Sequence, residues 1–330
     1  MRSPLTAVPP LHLQAQQAED GFGPDLRQAL AAPPHAISPK YFYDAEGSRL
    51  FDCICALPEY YPTRTERAIL QRHAAEIAAH VGAGCDLVEF GAGSCRKVRL
   101  LLPELQPRRY LPIDISVQHL QQAAAELVRQ HPGLVVVPLA GDYLGPVRLP
   151  PALPGAARVG FFPGSTIGNL TPQEALQFLR GAARLLRGGG LLLGVDLVKD
   201  PAVLHAAYND AQGVTADFNL NLLARANREL GTNFDLDGFW HSAFYNAPLQ
   251  RIEMHLVSRR RQQVTLGGET FDLPQGLALH TENSCKYTVA GLQALAEEAG
   301  FRPGAVWTDE QALFSVHWLQ APAMDGRRGE

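Results

Sequence analysis

Glu282 and Ser284 stand two residues apart in the stretch HTENSCKY (280–287). In an extended segment such residues project from the same face, so an acid and a hydroxyl would enter one space together. Such a pair suits a pocket wall that reads a polar ligand. A solvated strand edge would explain the same spacing. A second constellation lies earlier in the chain. GAGSC (91–95) offers a tight glycine turn whose backbone can approach a ligand, with Gly91 first. Asp114 follows at the end of the next apolar run, about where a ribose-binding acid belongs. Asp142, next to Tyr143, ends the run after that. The alternative is a plain turn with helix-capping acids, but glycines followed by two such acids favour cofactor binding.

The elements around these residues set the fold class. CDLVEFGAG, YLPIDIS, LVVVPLAGDY, RVGFFPGSTIGNL and GGLLLGVDLVKD read as five strands. Helical segments alternate with them: CRKVRLLLPEL, VQHLQQAAAELVRQH and the capped TPQEALQFLRGAARLL. Apolar strands alternating with helices require a parallel sheet covered on both faces, an α/β fold. The alternation stops after 200. Residues 201–238 look mostly helical, and GFWHSAFYNAPLQRIEMHLVSRRRQQVTL looks like antiparallel strands. A last helix, VAGLQALAEEAGF, then leads into two closing strands. The expected division is 1–63 and 200–288 for a substrate domain, with 64–199 and 289–330 for a doubly wound domain. Upstream, a short helix is expected at 25–32. Irregular structure should follow, then a helix near Thr63 capped by Thr63 and Glu66.

Composition narrows the class. The chain is 46% hydrophobic and 19% charged with a formal net charge of −4, which gives no global pull toward nucleic acid or an anionic membrane. Short basic runs such as 259–261 and Arg327-Arg328 read as solvated surface. Five scattered cysteines without a CxxC pair imply reduced thiols in a cytoplasmic protein. The N-terminal stretch lacks the continuous apolar core of a secretory signal, and no run reaches membrane-spanning length. Eleven histidines show no HxxxH or HExxH spacing, so no metal is expected. A monomer is expected.

The glycine loop also bears on the cofactor. A pyrophosphate-binding turn would continue to a third glycine, whereas this one runs on through Ser94, Cys95 and Arg96. S-adenosylmethionine carries no phosphates; a glycine turn, an acid for the ribose hydroxyls and another for the adenine amine would suit it. The two closing strands match the methyltransferase form of the sheet, in which the final strand is antiparallel.

LPEYYPTRTE, FFPGSTIGNLTP, LLGVDLVKD, YNDAQGVTADFNLNLLARANREL, RIEM and TENSCKY together resemble the L-histidine Nα-methyltransferases of ergothioneine biosynthesis, from about residue 40 to the C-terminus. The resemblance implies a Rossmann-like class I methyltransferase domain with a second α+β domain, histidine lying between them. It implies that S-adenosylmethionine meets Gly91, Lys97, Asp114, Asp142 and Tyr143. The substrate carboxylate would meet Asn169 and Tyr208, with Tyr60 shaping the pocket. The imidazole would lie against Glu282 and Ser284, and Met254 would line the side-chain pocket. Tyr43 and Phe51 would sit by the reacting amine. From the residues alone, Tyr43, Phe51, Tyr60 and Met254 also suit a plain core, Asn169 a turn, and Lys286 a surface or salt-bridge position. Departures from the family pattern are Cys95 and Arg96 in the glycine loop and Asn283 between the two imidazole-facing residues. Other readings keep the fold but change the substrate to an aromatic amino acid, or make the chain a non-catalytic binder of the cofactor or an amino acid. A dehydrogenase fits less well.

Overall fold

The computed structural model describes residues 21–145 and 148–323; the stretch 1–20 and the Arg327-Arg328 pair lie outside the described residues. Helices α1 (Phe22–Ala31), α2 (Ala45–Ile54) and α3 (Tyr61–Val81) come first. An α/β stretch follows: β1 (Asp86–Phe90), α4 (Leu102–Leu105), β2 (Arg109–Asp114), α5 (Val117–Gln130), β3 (Val135–Val136), β4 (Leu139–Ala140), β5 (Arg158–Phe162), α6 (Pro172–Leu185) and β6 (Gly190–Asp196). Then come α7 (Pro201–Tyr208), α8 (Val214–Leu230), β7 (Phe239–Asn246), β8 (Arg251–Ser258), β9 (Gln262–Leu266), β10 (Glu269–Leu273) and β11 (Ala278–Cys285). The described chain closes with α9 (Val289–Glu298), β12 (Arg302–Thr308) and β13 (Phe314–Gln320).

The main sheet runs β12-β13-β6-β5-β1-β2-β3, with β4 also on β2. Strands β1 to β6 pair in parallel, and β13 inserts antiparallel between β6 and β12. This is the doubly wound methyltransferase order with its reversed last strand. Every residue of β1 and of β6 is buried, as a sheet covered on both faces demands. One apolar core fills the side of α3, α5 and Trp318; the other fills the side of α6 and α9. A third core gathers α1, α2, α8 and the strands β7, β8 and β11 around Phe42, Phe218, Ile252 and Leu256. It combines residues 22–61 with 204–279, so two distant stretches build one unit.

Three local expectations change. The segment read as irregular contains α2, capped by Asp44, whose carboxylate accepts from the Gly47 amide at 2.7 Å. Helix α3 begins at Tyr61 rather than Thr63, with Pro62 in its first turn, so Thr63 is not its cap. Glu66 is fully buried and accepts from the Gly164 amide at 2.9 Å instead of reaching back to a helix end. The third strand is two two-residue pieces with a break between them. The predicted cap of α6 is present: Thr171 and Glu174 bond each other's backbone amides.

Candidate active site

The carboxyl ends of β1, β2 and β5 face a cleft of about 910 Å3. Gly91 has φ +68°, a left-handed backbone that a side chain would strain, and lies under the edge of Tyr143. The turn after it is held by Asp114: one carboxylate oxygen accepts from the Gly93 amide at 2.8 Å, the other from the Ser116 amide at 2.8 Å. Burial raises this acid above the usual aspartate range while those amides oppose the shift. Asp142 accepts from the Leu144 amide at 2.9 Å and stands 3.7 Å from the Lys40 ammonium. Tyr143 borders the cleft and packs edge-on against Phe162 and Phe178, 5.3 and 5.9 Å between ring centroids.

Lys97 also lines the cleft, and its ammonium is 2.5 Å from the buried Glu66 carboxylate. Since Glu66 grips the Gly164 amide, the pair ties the glycine loop to the 163–169 turn. Of the two departures in the loop, Cys95 is fully buried with φ +50°, whereas Arg96 borders the cleft and reaches across to Asp52 at 3.4 Å.

A smaller chamber of about 60 Å3 opens beside the cleft, and Tyr43, Phe51, Tyr60, Asn169 and Glu282 border both spaces. Tyr208, Met254 and Ser284 complete its proposed polar and apolar walls. Asn169 ends a 3₁₀ turn (Thr166–Asn169) that lies against β11. A side chain at Gly168 would come within 2.8 Å of the Cys285 carbonyl oxygen, so the missing side chain permits that approach. Glu282 pairs with Met254 across β8, and a bulge between His280 and Glu282 adjusts the register just before it. Burial lifts the Glu282 carboxyl to about 7, against the pull of Lys286. Burial first, then Glu282, raises the Tyr43 phenol well above its usual value, so Tyr43 keeps its proton at neutral pH. Asn283 lines the cleft but not the chamber.

Four aromatic rings form a chain along this wall: Tyr43 to Phe51 at 5.7 Å, Phe51 to Tyr60 at 6.3 Å, and Tyr60 to Tyr208 at 6.2 Å. The sequence reading missed what lies behind it. Tyr208 donates to Ser284 at 2.7 Å, and the buried Lys286 lies 2.6 Å from Ser284 Oγ and 2.9 Å from Asp196. Asp196 also accepts from Tyr61 at 2.8 Å and Lys199 at 2.6 Å. Lys286 is therefore an interior residue, not a surface one. The available signal was Asp196, the acid at the end of β6, which carries the same strand-end logic as Asp114.

On the outer face of the small sheet, Glu253, His255 and His280 gather side-chain ligand atoms within 4.8 Å of one another. Strand pairing assembles them, so local histidine spacing could not show the group. Arg251 occupies the Glu253 carboxylate at 2.7 Å, and the two imidazoles stack at 4.8 Å.

Residues 22–321 match the family model for "Histidine-specific methyltransferase, SAM-dependent". The chain is 43% identical over 312 residues to the histidine N-alpha-methyltransferase of Mycolicibacterium smegmatis, covering 92% of this chain and 96% of that one. It is 29% identical over 299 residues to ergothioneine biosynthesis protein 1 of Neurospora crassa, covering 83% of this chain and 32% of that longer protein. Among solved structures, the CcbJ methyltransferase from Streptomyces caelestis is 20% identical with a TM-score of 0.45, covering 77% of this chain and 90% of that one. Among the described residues, no helix is long and apolar enough to cross a membrane.

Proposed function

The chain belongs to the S-adenosylmethionine-dependent, histidine-specific methyltransferases, and we propose that it methylates the α-amino nitrogen of L-histidine three times to give hercynine, in ergothioneine biosynthesis. The observation that carries this reading is the chamber itself. Glu282 and Ser284 stand on one wall, Asn169 and Tyr208 nearby, and an aromatic wall leads to the cofactor cleft.

The cleft fits the cofactor by its donor set. A carboxylate whose oxygens are fixed by amides lies at the strand end, glycines leave the backbone open, and no third glycine prepares a pyrophosphate seat. Asp114, Asp142, Gly91, Tyr143 and Lys97 would hold it there. The bound cofactor supplies an electrophilic methyl group on sulfur.

The residues of the chain then have three tasks. Asn169 donates to the carboxylate and Tyr208, whose O–H is given to Ser284, borders it with its ring, while Glu282 and Ser284 hold the imidazole, so both ends of the amino acid are anchored and the amine is aimed at the cleft. Tyr43, which keeps its proton, orients the amine through its hydroxyl and is not the final proton acceptor; the proton leaves to water. The faces of Phe51 and Tyr60 accommodate the cation that grows with each transfer and can no longer donate hydrogen bonds. Incubating the protein with histidine and S-adenosylmethionine and weighing the product tests the reading. A gain of three methyl groups is expected. No gain on histidine, or faster turnover of tryptophan, would sink it.

A further inference from the structure

The Lys286 side chain has no solvent exposure, and its ammonium has three donors facing three acceptors. These are Asp196 Oδ2 at 2.9 Å, Ser284 Oγ at 2.6 Å and Tyr208 Oη at 3.2 Å. A protonated lysine only donates. Burial pulls it toward the neutral form, but Asp196 and then Tyr208 outweigh that pull and keep the amine above the usual lysine range. Ser284 Oγ and Tyr208 Oη are also 2.7 Å apart, close enough for one hydrogen bond and one bridging proton.

The proton count then has a consequence. Each of the two hydroxyl oxygens already accepts from Lys286, and the pair owns two protons. One bridges the pair. The other can go to neither Lys286 nor its own partner, so it must leave the pair. Tyrosine is the stronger acid and the better donor, so Tyr208 gives its proton to Ser284. The Ser284 proton is left to point into the chamber it borders.

We infer that Lys286 is a positioning residue which fixes Ser284 as a hydrogen-bond donor, so that the ring atom meeting Ser284 must carry a lone pair. The inference rests on histidine being the substrate. Glu282 on the same wall takes the N–H, so the two residues together demand a ring with one donor and one acceptor nitrogen. Neutral imidazole in one tautomer meets that demand. An indole, with an N–H and no lone pair, leaves the Ser284 proton without a partner. Without Lys286 the serine hydroxyl could rotate and accept instead.

Lys286→Met tests this without stranding Asp196, which keeps Lys199 at 2.6 Å and Tyr61 at 2.8 Å. Three substrates are compared: histidine, a pyrrolylalanine that keeps the N–H and loses the lone pair, and a thiazolylalanine that keeps the lone pair and loses the N–H. In the variant, preference for histidine over pyrrolylalanine in kcat/KM should fall about tenfold, the scale of one directed hydrogen bond. Preference over thiazolylalanine, enforced by Glu282, should hold, as should cofactor affinity by calorimetry. Lys286→Arg, which keeps a charged donor, should restore the first preference. Equal loss of both preferences, or no change in either, overturns the proposal. A measurement on the unaltered protein covers the case in which the variants do not fold: nitrogen-15 NMR of bound ring-labelled histidine. One unprotonated and one protonated ring nitrogen are expected; two protonated nitrogens overturn the proposal. If histidine neither binds nor reacts with the unaltered protein, it is the substrate reading that fails.

Discussion

Asp114 and Ser284 both sit at strand ends over a cavity, yet they are held in opposite ways. Asp114 takes both hydrogen bonds from backbone amides within its own α/β unit, those of Gly93 and Ser116. Ser284 takes both from side chains, Tyr208 on α7 and Lys286 just past β11. The cofactor cleft is thus a property of strand ends and turns, whereas the chamber is a property of side chains brought together from distant segments. A carboxylate held by backbone amide donors survives many side-chain changes nearby. A side-chain network transmits each change to its neighbours.

The largest expected effect separates the two regions. Glu282→Ala should lower kcat/KM for histidine by about a hundredfold or more, because the ring N–H loses its charged acceptor in a buried site. Cofactor affinity should stay within about twofold, since Asp114 and the glycine turn are untouched. Steady-state kinetics and calorimetry check both halves, and a matched loss of the two would dissolve the distinction. The converse change, Asp114→Ala, frees the Gly93 amide and should weaken cofactor binding about thirtyfold. Histidine binding to the cofactor-free protein, followed by calorimetry, should change little.

This division also governs what could be read in advance. The parallel sheet, its reversed last strand and the strand-end acids follow from patterns of a few residues, and apolar runs ending in glycine or aspartate mark them directly. The failures were non-local. Thr63 and Glu66 have the spacing of a capping box, but Glu66 is drawn inside by the Gly164 amide and Lys97, contacts far away in sequence. Helix α2 was missed because its apolar residues, Leu50, Phe51 and Ile54, serve a core completed by residues after 204. Behind the chamber, no period or spacing joins Tyr61 and Lys286 to the Asp196–Lys199 pair. Only the family resemblance placed Glu282 and Ser284 against a substrate, and it did not show what orients the serine.

Titration sharpens the contrast further. Burial raises Glu282 to about 7 from an ordinary 4.5, so its contribution to stability is fully present below about 4.5 and lost as the pH rises through about 7. Histidine binding has the opposite sign, since it needs the Glu282 carboxylate and a neutral imidazole. Between pH 5 and 7 the free protein should therefore lose stability from this group while its histidine affinity climbs. Glu282→Gln should remove that part of the stability slope and leave histidine affinity following the imidazole alone. Thermal melts and calorimetry across the window read the two trends, and parallel slopes in wild type and variant would exclude Glu282 as their source.

The smallest effect concerns how the chamber is braced. Asp200 caps α7 by accepting from the Ala202 amide at 2.8 Å, and Tyr208 is the last residue of that helix. Asp200→Ala should cost about 1 kcal/mol of stability, the usual loss for a removed cap. Tyr208 stands eight residues beyond Asp200, held at its hydroxyl by Ser284 and Lys286, so fraying at the start of α7 reaches it only in part. A two- to threefold rise in KM for histidine, with cofactor affinity unchanged, is the expected size. A side-chain network held mainly by its own contacts would absorb the lost cap to that degree. A tenfold rise would mean that α7, rather than the Ser284–Lys286 pair, sets the position of Tyr208.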